Sequence, residues 1–419
     1  MIYSAYSIFT SCANALVPLL SPIAGKGKFG AWVRGQNDVM QKIEAEFHPA
    51  PDTKTVWVHA ASLGEFAVAR PIINALKAQG HTIVVTFFSA TGVMALGDKH
   101  PGIDLVSYLP IDTKANASRF LNIIKPQKAI FIISEFWPCF LTELKKRGIP
   151  TYLISALLRD DAPFFKPQGK WMRQCLSTFT HFMVLNEASA TNLARLGCGD
   201  RTTVTGDPLF DNAIAVANTE WHHDIIERFA SKGRTFIAGS VSDRDDLRLV
   251  AHLANKFPCD KFIIVPHEIH EDFMQSIEKA IEGKCTRVSR CTNPSCADDS
   301  QVLIVDFVGA LAKIYRVGSY AYIGGGFTPL LHSVIEATVY GLPVSFGPQI
   351  KRKTTPQQLI ELGIGAKVET CEQIEQWYAS LRGNDIRLAE IKDIARNYTQ
   401  SNSGATETII NIISKSSPQ

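Results

Sequence analysis

This chain has no Cys-x-x-Cys pair, no long internal repeat and no low-complexity tract. Its nine cysteines (Cys12, Cys139, Cys175, Cys198, Cys259, Cys285, Cys291, Cys296 and Cys371) are odd in number and widely scattered. That pattern argues against a disulfide framework and points to a reducing compartment. Cys285, Cys291 and Cys296 share one polar stretch, but without paired spacing or neighbouring histidines they read as a surface loop rather than a zinc site. An excess of one charge is also missing: 43 Lys and Arg against 40 Asp and Glu leave a net charge of +3. This is too small to argue for a nucleic-acid partner. No Gly-x-Gly-x-x-Gly follows an early strand, and no acidic residue stands at the spacing a dinucleotide site needs, which sets a dinucleotide oxidoreductase aside. Residues 1–25 carry no charged side chain, and Lys26, Lys28 and Arg34 follow at once. A secretory signal would place positive charge before its apolar run. Ser4, Ser7, Thr10, Ser11, Asn14 and Pro18 also interrupt this run. The segment reads as a membrane anchor or an interfacial helix, with the body on the cytoplasmic side, the plain alternative being a buried N-terminal helix of the core.

The chain does hold enough apolar residues for large cores: 46% hydrophobic and 20% charged over 419 residues. Single cores rarely grow past roughly 250–300 residues, so two or more domains are expected. Short apolar runs at 55–59, 81–87, 104–109, 129–133, 151–154 and 181–184 alternate with helical patterns, which predicts a doubly wound parallel sheet. A second such series has strands at 235–238, 261–265, 302–305, 321–323 and 343–346, with the join near 206–218. The fold class expected is α/β: two Rossmann-like domains facing a cleft, preceded by a membrane-associated segment. The domains fall at 1–25 (membrane anchor or interfacial helix), 26–212 (acceptor side) and 213–419 (nucleotide side). The helical stretch 374–413 is a candidate to cross back onto the first half.

Chemistry concentrates where strands end. Gly324-Gly325-Gly326 follows the run 321–323, and a helix from about His332 carries Glu336 in its first turns. Glycines let backbone N–H groups approach a phosphate, a helix start favours an anion, and a nearby carboxylate suits a ribose diol. An ordinary βα turn with a helix-start charge reads the same way. Glu65, in Ala60-Ala61-Ser62-Leu63-Gly64-Glu65, opens a helix predicted over 66–79 and can take a proton from an attacking hydroxyl; helix-start carboxylates are also common for stability alone. Glu135, in Ser134-Glu135-Phe136-Trp137-Pro138, can stabilise positive charge on a sugar ring or cap a helix. His267, in Pro266-His267-Glu268, can meet phosphate or serve as a structural hydrogen-bonder. Gly239-Ser240 opens another turn that suits phosphate or a cap. The basic run Lys351-Arg352-Lys353 suits a phosphorylated acceptor or anionic lipid, or is a solvated loop.

Taken in order, HAASLGE at 59–65, SEFWP at 134–138, GDPLFD at 206–211, AGS at 238–240, PHE at 266–268, VGALAKIY at 308–315 and the segment from Gly324 to Pro348 resemble the 3-deoxy-D-manno-octulosonic acid (Kdo) transferases of lipid A assembly. The resemblance covers nearly the whole chain. It implies a glycosyltransferase B-type fold and an inverting, metal-independent transfer of Kdo from CMP-Kdo to the lipid A precursor. CMP-Kdo would be a donor substrate, and no cofactor is implied. The setting would be the cytoplasmic face of the inner membrane, in contact with its lipids. Glu65 matches the family's general base and Glu135 a position that stabilises the transition state. Pro266 and His267, then Val308, Gly309 and Ala310, then Ser333, Val334, Ile335 and Glu336 match segments that contact CMP. The chain departs from the family at Leu209, where a basic residue is usual, at Ser333 in place of asparagine, and at His267, where many members carry arginine. The rival expectations are another B-type glycosyltransferase or an epimerase with a UDP-sugar, or a non-catalytic lipid-binding relative.

Overall fold

The strand-forming runs are buried along their whole length, as in Thr55–His59 and most of Thr82–Phe87. Such continuous burial is the mark of a parallel sheet covered on both faces. The computed structural model describes residues 2–97, 100–351 and 353–415. They divide into two compact units: one runs to Asn212 and takes back the segment from Ser403 onward, and the other spans Ala213–Asn402.

The first unit opens with helices α1 (Ile2–Leu20) and α2 (Lys28–Glu46). Its strands are β1 (Thr55–His59), β2 (Thr82–Phe87), β3 (Leu105–Tyr108), β4 (Lys128–Ile132), β5 (Thr151–Ala156), β6 (His181–Val184) and β7 (Thr202–Val204). They form one sheet in the order β3-β2-β1-β4-β5-β6-β7, all neighbours parallel. The order reverses between β1 and β4, and ligands of open α/β sheets bind at the carboxyl ends of the strands flanking such a point. Trp57 anchors one face of this sheet, fully buried among Phe120, Phe131 and Phe140 at ring distances of 5.0, 5.1 and 5.5 Å. The opposite face packs Val56, Val58 and Ile130 with Ile409, Ile410 and Ile413 of the last helix, Ala405–Lys415. Asp211 caps that helix, accepting from Gly404 N–H at 2.7 Å and Thr406 N–H at 2.6 Å. The second unit therefore ends at Asn402 and not at residue 419.

Helix α1 packs on the first unit through a stripe of its less apolar residues. Tyr6 donates to Asp112 at 2.7 Å, Asn14 accepts from Asn116 at 2.9 Å, and Thr10 and Val17 are buried. Ile8, Phe9, Leu16, Leu19 and Ile23 stay exposed. Among the described residues, Ser4–Ile23 is the stretch long and apolar enough to cross a membrane by length and composition.

The second unit's strands are β8 (Thr235–Val241), β9 (Lys261–Pro266), β10 (Cys285–Arg287), β11 (Val302–Ile304), β12 (Tyr320–Ile323), β13 (Val344–Phe346) and β14 (Gly365–Lys367). The order is β10-β11-β9-β8-β12-β13-β14, again parallel throughout, with its reversal between β8 and β12. Three strands escape a sequence reading: β7, β10 and β14. All are sheet edges of three residues and mostly half-exposed, so they lack the apolar run that marks a strand buried on both faces.

The cysteine reading needs one correction. Cys291 and Cys296 form a disulfide, five residues apart with 5.5 Å between their Cα atoms. A tight local turn brings them together: Asn293 accepts from Ser295 N–H through its side chain at 3.0 Å and from Cys296 N–H through its carbonyl at 3.2 Å.

Candidate active site

In the first unit the carboxylates sit at the switch point, Glu65 after β1 and Glu135 after β4. Helix α3 (Leu63–Ala78) starts behind Ser62, whose hydroxyl accepts from Glu65 N–H. The Glu65 side chain folds back, and Oε2 accepts from Ala61 N–H at 2.5 Å. Burial, and then the charge of Glu135, push its carboxyl up to about 7 against the pull of that Ala61 bond. A carboxylate with that value near neutral pH is matched to general-base work.

Glu135 is aimed by a strained turn. Ile133, β-branched, holds a φ of 64° at the end of β4, a conformation such residues keep only where the surroundings enforce it. Glu135 Oε2 accepts from Trp137 Nε1 at 2.8 Å and lies 3.3 Å from His59 Nε2. His59 is fully buried, and its Nδ1 lies 2.9 Å from Thr86 Oγ1, which accepts from Trp57 Nε1 at 2.8 Å. The buried imidazole thus bridges the Thr86 hydroxyl through Nδ1 and the Glu135 carboxylate through Nε2. The chain of bonds Trp57, Thr86, His59, Glu135 is absent from a sequence reading, because it passes from β1 to β2 and back and then to the turn after β4.

In the second unit the strand ends gather around Gly239-Ser240 and the glycine turn. Ser240 has a φ of 55° and the β8–β9 register shifts around it. A Cβ on Gly324 would stand 2.1 Å from the Ser240 carbonyl oxygen, and one on Gly326 would stand 2.4 Å from Gly347 N. These contacts are backbone on backbone and cannot yield. Gly326→Ala is expected to cost about 2 kcal/mol or more, read as a lower urea midpoint at unchanged slope. Asp246, fully buried, ties the two turns together. It accepts from Ser242 N–H and Ser242 Oγ at 3.0 Å each, from Gly325 N–H at 2.8 Å and from the Tyr322 hydroxyl at 2.6 Å. Sequence reasoning missed it; its one signal was a position three residues after the helix-capping Asp243.

The helix expected from His332 is shorter than its pattern suggests. It spans only Ile335–Thr338, and His332 N–H is already spent on Gly324 O at 3.2 Å. No helix start therefore faces the glycine turn at His332. Instead the His332 ring lies against that of His267, tilted by 40° with ring centres 4.3 Å apart. Burial, then His267, lower the His332 pKa to about 4, so it stays neutral. His267 is exposed, anchored by its N–H to Val241 O at 2.9 Å, and Pro266 before it is buried. Val308 and Gly309 are exposed and Ala310 is buried. Just beyond them Leu311 and Tyr315 close over Gly239. Ser333 is half-buried, the side chains of Val334 and Ile335 lie in the core, and burial pushes the half-buried Glu336 up to about 7. Lys353 donates to Leu331 O at 3.3 Å, while Arg352 lies outside the described residues.

The sequence model of a family described as 3-Deoxy-D-manno-octulosonic-acid transferase (kdotransferase) matches residues 37–212. The 3-deoxy-D-manno-octulosonic acid transferase of Bordetella pertussis is 26% identical over 387 residues, 87% of this chain and 88% of that protein. The protein of the same description from Aquifex aeolicus is 25% identical over 320 residues, 75% of this chain and 82% of the relative. Among solved structures, UDP-GlcNAc 2-epimerase from Neisseria meningitidis bound to UDP-GlcNAc matches with a TM-score of 0.59 at 16% identity, over 86% of this chain and 100% of that one. The glycotransferase of kitacinnamycin matches with a TM-score of 0.53 at 14% identity, over 88% and 100%. At such identities these structures speak to the fold alone, two Rossmann-like α/β units of the glycosyltransferase B type. Relatives of one description align along most of the chain, and the family match takes in the whole sheet that carries Glu65 and Glu135: the chain is a glycosyltransferase related to the 3-deoxy-D-manno-octulosonic acid transferases.

Proposed function

We propose that this protein transfers Kdo from CMP-Kdo to the lipid A precursor, lipid IVA, in lipopolysaccharide biosynthesis, at the cytoplasmic face of the inner membrane. The observation that carries the reading is Glu65: a carboxylate titrating near neutrality beside a second carboxylate, both at the sheet's switch point. Glu65 takes the proton of the acceptor hydroxyl as its oxygen bonds to the anomeric carbon. The bond from that carbon to the cytidylate oxygen breaks on the opposite face, and CMP leaves with the electron pair, so the configuration inverts. Glu135, held by Trp137 and His59, offsets the positive charge that spreads over the sugar ring. In the second unit the glycine turn and His267 meet the leaving phosphate, and Glu336 the ribose, with Ser333, the backbone of Val334 and Ile335, Pro266 and the 308–310 segment completing the nucleotide's surroundings. No metal enters this reading.

Leu209 stands where the family usually has a positive charge, and it packs on the apolar face of the first sheet. Pure protein incubated with CMP-Kdo and lipid IVA is expected to yield a lipid heavier by one or more Kdo units in a mass spectrum, and CMP is expected to raise the melting temperature more than UDP does. A UDP-sugar reading, favoured by the fold shared with the epimerases, predicts the opposite order of melting shifts and no change in the lipid.

A further inference from the structure

Cysteine usage in this chain points to a reducing compartment, yet Cys291 and Cys296 are joined while the seven other cysteines stay free. A disulfide that meets cytosolic thiols is usually transient, catalytic or redox-sensing. This one is within reach of such thiols. Its two cysteines are half-buried, and Thr292 to Ser295 between them are exposed. An open cavity of about 400 Å³, with Cys291, Asn293 and Pro294 on one side and His222 and His223 on the other, gives an attacking thiolate room to approach. Burial, then the charge of Glu278, push the thiol of nearby Cys285 up to about 11, so it stays protonated and does not compete for the bond. The bond also stands next to the 308–310 segment. The short turn Val288–Arg290 is closed by Cys291 N–H on Val288 O at 3.0 Å, so the cysteine is part of that turn. Within it Ser289 holds Asp306, through its N–H at 2.9 Å and through its hydroxyl. Asp306 leads into Phe307, whose ring lies flat against that of His223 at 5.4 Å, and then into exposed Val308 and Gly309. The far end of the disulfide loop is tied as well, Asp298 accepting from Arg228 at 2.8 and 2.6 Å.

We propose that the Cys291–Cys296 disulfide is a reversible thiol switch on nucleotide binding: closed, it fixes the turn through which Ser289 holds Asp306 and the 308–310 segment, and opened by a low-molecular-weight thiol such as glutathione, it loosens that hold. The inference rests on the nucleotide reading given above. One glutathione thiolate attacks a sulfur of the pair and forms a mixed disulfide, and the other cysteine leaves as a thiolate and takes up a proton. A second glutathione thiolate attacks the bound glutathione sulfur, which yields glutathione disulfide and frees the first cysteine. Two electrons pass from two glutathiones to the pair, and glutathione disulfide reverses the same steps. After opening, the loop keeps the bonds that Asn293 accepts from Ser295 and Cys296 N–H, but the covalent closure that limits its motion is gone.

The test equilibrates the full-length wild type in glutathione buffers and reads CMP affinity by calorimetry in the oxidised and reduced states. Reduction is expected to weaken CMP binding about fivefold or more. Linkage demands the reciprocal effect. Saturating CMP should raise the ratio of squared glutathione to glutathione disulfide at half-reduction by the same factor, read by acid quench, thiol alkylation and mass spectrometry. These arms need no variant to fold. The double variant Cys291→Ser, Cys296→Ser should bind CMP as the reduced wild type does and ignore glutathione, while Cys285→Ser keeps the full response. In Ser289→Ala the disulfide should still open and close, but CMP affinity should no longer follow it, which a bond serving stability alone would not produce. Equal CMP affinity in the two states overturns the switch and leaves the function reading standing. So does a cysteine pair that stays reduced in glutathione disulfide. CMP that binds neither state is a different result: it overturns the nucleotide reading and the switch with it.

Discussion

Glu65→Gln is expected to abolish transfer, lowering kcat by about 10³-fold or more, as loss of a positioned general base does, while CMP still raises the melting temperature. The amide keeps the size of the side chain and can still accept from Ala61 N–H, so the loss belongs to the missing base. Its protonation gives the pH dependence. A base works ionised, so kcat/KM of the wild type should rise with pH and level off above about 7, the value to which burial and Glu135 push Glu65. Glu135→Gln removes the neighbouring charge and should move that rise to lower pH. Stability runs the other way. The folded value lies above the ordinary carboxylate value of 4.5, so the folded protein holds the proton more tightly than the unfolded chain. The ionised group costs nothing below 4.5, progressively more between 4.5 and 7, and its full amount above 7. That amount is on the order of 3 kcal/mol. Glu65→Gln should therefore raise the melting temperature at pH 8 and leave it unchanged at pH 4.5. Transfer retained in the pure variant, or a melting temperature blind to pH, would remove Glu65 from the role.

The parts of this fold legible in the sequence are those whose burial is continuous. Runs such as 55–59 and 261–265 are apolar except at their ends because both faces of their strands are covered, and the structure places strands there within a residue. Strands β7, β10 and β14 are illegible because an edge needs neither length nor two apolar faces. Glu65 and Glu135 stand out because each lies within a few residues of the end of a buried strand, Glu65 in the first turn of α3 and Glu135 in the turn after β4. Their supporting groups do not: His59 meets Thr86 and Glu135 across 27 and 76 residues, and Gly325 meets Asp246 across 79. Contacts of that reach leave no local pattern. The helix overextended to His332 has the same cause. Its glycines and polar residues allow a helix start, but the bond from His332 to Gly324 and the close pass of Gly326 over Gly347 hold the chain open until Ile335.

Asp246→Ala is expected to be the most damaging change in the second unit. Four donors converge on this carboxylate: two backbone N–H groups, the Ser242 hydroxyl and the Tyr322 hydroxyl. Alanine leaves all four unpaired in a site that admits no water at Asp246, which is fully buried. The expected loss is about 3–5 kcal/mol, measured as the shift of the urea midpoint. Asparagine is milder, at about 1–2 kcal/mol. Its one carbonyl can keep Gly325 N–H and Ser242 N–H, while its amide meets Tyr322 only if that hydroxyl turns to accept. The functional effect should exceed the loss of stability. Gly325 and Ser242 sit on the two turns that flank the β8–β12 switch point, and the carboxylate joins them beyond the single backbone bond from Gly324 N–H to Gly239 O at 2.9 Å. CMP should then give no melting shift in Asp246→Asn under conditions where that variant is folded. A variant that binds CMP as the wild type does would show that the turns keep their places without the knot, and would confine Asp246 to a role in stability.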